Sequence, residues 1–201
     1  MNSSHVETET KLYVPNLGAV AQRLGIIGAI LVKPRVFERN VRYENAEKTL
    51  TERGIVVRLR QDTTAKLTYK EPADFPAVDG IQSRREWEVE VNDFDTMEAI
   101  LARLGYYPQL VYEKWRATYT LGQVEIVLDE LPFGNFLEIE GTPDDIYQAI
   151  AALQLQDAPR YAASYLILFD RVKQTLHLDF NDLTFANFQG IVVSPDLFSS
   201  K

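Results

Sequence analysis

Cysteine is absent from this chain of 201 residues. Disulfides, thiolate nucleophiles and thiolate-bound soft metals are therefore excluded. Histidine occurs only twice, at His5 and His177, with no metal-ligand spacing, so both read as structural or exposed. No stretch approaches the roughly 18 to 20 apolar residues of a membrane span. The opening Met1-Asn2-Ser3-Ser4 has neither the basic nor the apolar region of a signal peptide. The expectation is a cytoplasmic protein without a membrane partner. Positive charge is the minority sign, 21 Lys and Arg against 29 Asp and Glu, a net charge of −8. That balance argues against general nucleic-acid binding but leaves room for a local basic cavity. Gly54 and Gly80 form no P-loop.

What is present is alternation. In His5 to Val14, Glu7, Glu9 and Lys11 share one strand face, while Val6, Thr8, Thr10 and Leu12 share the other. Two carboxylates side by side repel unless a cation lies between them, and hard cations such as Mg²⁺ take oxygen ligands. A neighbouring lysine suits a phosphate. An exposed strand with its charges turned to water explains one such segment equally well.

The pattern recurs. Strands are expected over 29–43, bent at Pro34, and over 55–61 and 65–70, joined as a hairpin by Asp62-Thr63-Thr64. Further strands are expected over 84–91, 108–121, 124–128 and 135–141. Their polar faces carry Arg58 and Arg60; Lys66 and Lys70; Arg84, Glu86 and Glu88; Lys114 and Arg116; Glu125 and Asp129; Glu138 and Glu140. Val57, Leu59, Trp87, Ile126 and Ile139 alternate with them. Helices are expected after Asn16, from Asp93 to Leu104, from the Thr142-Pro143 start to about Leu153, and over 160–176. The loop 71–82, with Pro72, Pro76 and Gly80, is long enough to be functional. Phe180, Leu183, Phe185 and Phe188 anchor a tail.

Helices that bury apolar faces against the strands leave the charged faces pointing away from them. About eight mainly antiparallel strands can then curl into a barrel with charges inside, an α+β fold with helices outside. Buried charges are costly unless well paired. A polyanion held together with a divalent metal would satisfy both signs.

These pieces, in this order, resemble the CYTH superfamily, the triphosphate tunnel metalloenzymes. They are Glu7-x-Glu9-x-Lys11, Arg58-Leu59-Arg60, Leu67-Thr68-Tyr69-Lys70, Arg84-x-Glu86-x-Glu88, Lys114-x-Arg116, Val124 to Asp129, and Phe136 to Glu140. The resemblance implies an eight-stranded tunnel domain over residues 1–170, with 171–201 a tail packed on it. It implies an enzyme using Mg²⁺ or Mn²⁺ on a small-molecule triphosphate such as ATP, tripolyphosphate or thiamine triphosphate, as a monomer or homodimer. Hydrolysis leads; a class IV adenylyl cyclase and a binding module without turnover are the alternatives. By resemblance, Glu7, Glu9, Asp129, Glu138 and Glu140 are metal-side catalytic carboxylates, which Glu86 and Glu88 complete. Lys11, Arg58, Arg60, Lys70, Lys114 and Arg116, with Lys66 and Arg84, are triphosphate ligands. One departure concerns the second long strand, where related chains carry Asp-x-Tyr-x-Asp. Here that region reads Glu38-Arg39-Asn40-Val41-Arg42-Tyr43-Glu44-Asn45.

Overall fold

The computed structural model describes residues 5–73 and 78–198. Met1 to Ser4, the loop centre with Pro76, and the last three residues lie outside them. Strands β1 (His5–Tyr13), β2 (Ile30–Glu44), β3 (Val56–Gln61), β4 (Ala65–Pro72), β5 (Ile81–Val91), β6 (Tyr107–Leu121), β7 (Val124–Leu131), β8 (Gly134–Glu140) and β9 (Arg160–Tyr161) form one sheet. Its order is β5-β4-β3-β2-β6-β7-β8-β1-β9.

The first strand closes it. One edge of β1 pairs with β8 over Glu9–Tyr13. Its other edge pairs with β5 over His5–Thr10, and with β9 at Lys11 and Leu12. Strands β1 to β8 thereby make a closed antiparallel ring, as the alternation predicted. β2 runs through Pro34, but its register with β6 shifts on either side of Lys33 and before Val36. A proline can donate no ladder bond, and the strand absorbs this as an irregularity.

Five helices accompany the sheet among the described residues: α1 (Leu17–Ile26), α2 (Thr49–Glu52), α3 (Phe94–Arg103), α4 (Pro143–Leu153) and α5 (Tyr165–Leu176). Asn16, Asp93, Thr142 and Ser164 each accept a backbone N–H as side-chain caps of α1, α3, α4 and α5. The helix expected over 160–176 therefore starts later than its apolar run suggested. Arg160 and Tyr161 instead extend the edge of β1, and Ser164 supplies the cap. No described helix is long and apolar enough to cross a membrane.

The apolar faces of β1, β3, β7 and β8 point outward, under helices. Leu12, Ile126, Leu137 and Ile139 are fully buried with Leu24 of α1 and Ile146 and Ile150 of α4. Val41, Val57 and Leu59 pack with Leu101 of α3. Each such side chain contributes about 1.5–3 kcal/mol by leaving water. A third cluster joins Phe136 and Tyr112 of the ring to Leu168 and Phe169 of α5 and to Leu183, Phe188 and Phe198 of the tail. With the faces under α1, α3 and α4 turned outward, the alternate, charged positions of those strands turn inward.

Candidate active site

Inside the ring lies a cavity of about 360 Å³. Among the described residues nine Lys or Arg and seven Glu side chains line it, and the aliphatic lining is Val56, Val127 and Leu166. Glu7, Glu9, Glu86, Glu88, Glu138 and Glu140 are all on the wall, and so are Lys11, Arg58, Arg60, Lys66, Lys70, Arg84, Lys114 and Arg116. Asp129 is not on it. It sits behind the wall, fully buried, and accepts two bonds from Arg116 at 2.7 and 2.5 Å, one from Lys114 at 3.1 Å and one from the Tyr165 hydroxyl at 2.9 Å. In this arrangement Asp129 positions two cations and the first residue of α5.

The charges of the β1–β8–β7–β6 wall are tightly matched. Lys11 Nζ lies 2.8 Å from Glu9 and 3.0 Å from Glu138. Arg116 lies 2.5 Å from Glu138. Burial opposes ionisation of Glu138, but the Lys11 and Arg116 charges overcome it and hold the carboxyl well below its usual range. Burial likewise opposes ionisation of Glu38, and Lys114, Arg116 and Arg60 bring it down to about 2.

Across the cavity, Lys70 bridges Glu7, at 2.9 Å, and Glu86. Glu88 receives Lys66 at 2.8 Å and Arg60 at 3.3 Å. Arg58 donates to the Tyr112 hydroxyl at 3.2 Å and to Thr68 Oγ1 at 3.1 Å, with Glu88 at 3.7 Å.

Four lining charges have no opposite charge within 4.0 Å among the described residues: Arg42, Arg84, Glu125 and Glu140. Glu125 and Glu140 are direct cross-strand partners, and Glu9 is the partner of Glu140 on its other side. Burial first, then the Glu125 and Glu9 charges, push the Glu140 carboxyl up to about 7. A row of three carboxylates on adjacent strands has the oxygen chemistry that Mg²⁺ or Mn²⁺ prefers. Among the described residues, however, no three acids converge as a metal shell; most are turned to Lys and Arg.

Sequence reasoning left Arg42, Tyr112, Tyr165 and Gln82 out of the site and placed Glu125 on a charged face without a role, although all line the cavity. Arg42 and Glu125 had a signal, since both fall on the charged alternation of their strands. Tyr165 had none, because it opens a helix read as apolar packing. Its ring stands 5.2 Å from Lys11 Nζ and 5.5 Å from Lys114 Nζ.

A family model described as the CYTH domain matches residues 5–160. A proposed adenylate cyclase of Methanocaldococcus jannaschii is 26% identical over 152 residues, covering 74% of this chain and 84% of that protein. The crystal structure of a proposed adenylate cyclase from Vibrio parahaemolyticus superposes with a TM-score of 0.67 at 23% identity, covering 81% and 97% of the two chains. A Hippeastrum protein, named for adenylyl cyclase but reported with a dominant triphosphatase activity, superposes with a TM-score of 0.59 at 18% identity, covering 94% and 98%. At these identities the two structures share the fold.

Proposed function

The chain belongs to the CYTH domain family, and from that premise we propose that it is a divalent-metal-dependent enzyme that hydrolyses a triphosphate inside the ring. The carrying observation is the cavity wall itself: among the described residues nine cations and seven carboxylates surround about 360 Å³, with three aliphatic residues. Both tyrosines on the wall are engaged, Tyr112 with Arg58 and Tyr165 with Asp129. A phosphate chain is the occupant that uses such a surface.

In this reading Lys11, Arg58, Arg60, Lys70, Lys114 and Arg116 take phosphate oxygens, with Lys66 and Arg84 beside them. Glu7, Glu9, Glu138 and Glu140, with Glu86, Glu88 and Glu125 beside them, would supply the oxygen ligands for Mg²⁺ or Mn²⁺. The elevated Glu140 carboxyl supports this assignment, because a cation among Glu9, Glu125 and Glu140 would relieve their mutual repulsion. Such a cation supplies Lewis-acid neutralisation of phosphate oxygens. The residues do the rest. The lysines and arginines fix the chain in line, and Asp129 holds Lys114 and Arg116 in position. The paired walls let a cation leave its carboxylate for a phosphate without crossing the cavity. Preorganised charge of this kind is what lowers a phosphoryl-transfer barrier.

A second reading is favoured by the name of the Methanocaldococcus jannaschii relative: conversion of ATP to cyclic AMP and pyrophosphate. The same wall would serve it, with the adenosine outside the charged lining. Incubation with ATP, tripolyphosphate and thiamine triphosphate, each with Mg²⁺ or Mn²⁺, separates the readings if cyclic AMP, pyrophosphate and orthophosphate are measured individually. Orthophosphate from any of the three is expected. Cyclic AMP with stoichiometric pyrophosphate would replace the first reading by the second. No product from any of them would leave a binding module.

A further inference from the structure

Arg42 is the cavity cation with the least to hold it. It lies on the inner face of β2, in the segment where the chain departs from the family pattern, directly opposite Arg58 on β3. No nitrogen of its guanidinium has a hydrogen-bond partner among the described residues, and its Nε is buried. The nearest carboxylate on its own strand face, Glu44, is committed elsewhere: it accepts from the backbone N–H groups of Asn45, Leu50 and Thr51 and from the Thr51 hydroxyl. The groups that act on Arg42 are Tyr112, Arg84, Glu44 and Arg58, and Arg42 in turn acts on Asp170 of α5. Burial, with Arg84 and Arg58 adjacent, makes its charge harder to keep than that of a free arginine. Arg84 is similarly placed. It has no carboxylate within 4.0 Å among the described residues, and its guanidinium donates to the Gly54 carbonyl. Its Nε is buried without a partner.

The rest of the cationic wall differs. Lys11, Lys114 and Arg116 each touch a carboxylate at 3.1 Å or less, so a phosphate there gains only what the carboxylate gives up. Arg42 and Arg84 offer uncompensated charge. The greatest density of negative charge on a phosphate chain is its free end, because a terminal phosphate ionises a second time near pH 6 and an internal one does not. Guanidinium forks suit two oxygens of such a group. Along β6, Arg42 stands beside Leu110, whereas Glu125 stands beside Thr120, towards the strand's other end. Arg42 and Glu125 thus sit at opposite ends of the wall, while Arg84, opposite Glu7, lies between them.

We propose that Arg42, with Arg58 and Arg84, reads the free terminal phosphate of the substrate, so that the protein selects uncapped phosphate chains over chains esterified at both ends. This rests on the triphosphate reading of the cavity. The test is calorimetric titration in Mg²⁺ with two ligands: tripolyphosphate whose bridging oxygens are replaced by NH, and diadenosine triphosphate, capped at both ends. The uncapped ligand is expected to bind about tenfold or more tighter. Arg42→Gln should remove most of that ratio while still binding both ligands, and Arg42→Lys, which keeps the charge but not the fork, should retain part of it. A ratio near one in the unaltered protein, or a ratio unchanged in both variants, overturns this inference alone. Failure of the unaltered protein to bind either ligand overturns the triphosphate reading with it. If Arg42→Gln does not fold, the Arg42→Lys ratio decides.

Discussion

The ring has a dry half and a wetter half. In β1, β7 and β8 the outer residues Leu12, Ile126, Leu137 and Ile139 are fully buried, and the inner charges Lys11, Glu138 and Asp129 are nearly so. In β4 and β5 the outer Trp87 and Val89 are 39% and 57% exposed, while the inner pair Lys66–Glu88 is 33% and 25% exposed. The two halves carry similar residues in similar alternation. Their energetics should differ sharply, because a charge pair in a dry wall is unscreened and cannot be repaired by water, whereas an exposed pair can.

The largest effect is expected from breaking the dry half. Asp129→Ala strands Lys114, Arg116 and the Tyr165 hydroxyl without their shared acceptor. Urea denaturation should show a loss of about 3–5 kcal/mol. A loss below about 1 kcal/mol would show that water enters this wall freely and that the two halves are alike.

Glu138→Gln tests the same half through chemistry. The side chain keeps one oxygen, for Lys11 or for Arg116, and loses its charge on the metal side. Single-turnover rate should fall by about a hundredfold or more, while triphosphate still binds. Near-normal turnover in a folded variant would remove Glu138 from the catalytic set.

Ligand should narrow the difference between the halves. Mg²⁺-tripolyphosphate at a hundredfold excess over Kd should stabilise the native state by about 2.7 kcal/mol. Thermal melts that coincide with and without it, at millimolar ligand, would count against the proposed function.

Without metal, pH should act with two signs. The Glu140 carboxyl has an ordinary value of 4.5 and is held up to about 7 in the fold, where its neutral form is preferred. Its contribution to stability is therefore intact below pH 4.5 and declines as pH rises to about 7. Glu38, brought down to about 2, stabilises above pH 4.5, and that contribution is lost as pH falls towards 2. The metal-free protein should melt highest near pH 5, several degrees above its value at pH 7, and Mg²⁺ at pH 7 should recover the difference. A melting point that rises from pH 5 to 7 without metal would contradict the acidic row.

The smallest effect belongs to the wetter half. Glu88→Gln touches Lys66, Arg60 and Thr68 and should cost about 1 kcal/mol or less.

How much of this was readable beforehand depended on the kind of signal. Period-two alternation reports which side of a strand faces a core. So the inward Glu7, Glu9 and Lys11, and the outward Ile126 and Ile139, were legible without a structure. Alternation says nothing about partners. Asp129 looked like another metal-side acid, because its capture by Arg116 and Lys114 of β6 and by Tyr165 of α5 involves elements that alternation within β7 does not report. Arg160 and Tyr161 were read as helix because an apolar run cannot show that β1 has a free edge waiting for them. Arg42 was visible as a charge on β2, but that it lacks a counter-charge follows only from Glu44 being used by α2.

The way β1 closes the ring also constrains how the protein is born. His5–Thr10 has no partner until Ile81–Val91 has been made, and Glu9–Tyr13 waits for Phe136–Glu140. Contacts between such distant stretches bring long loops together before any bond rewards them, which slows folding. On the ribosome, β1, made before every strand it pairs with, is thus among the last strands of the ring to be stitched in. Its charged face must stay soluble in the meantime, and the alternation that builds the cavity also keeps the waiting strand from aggregating.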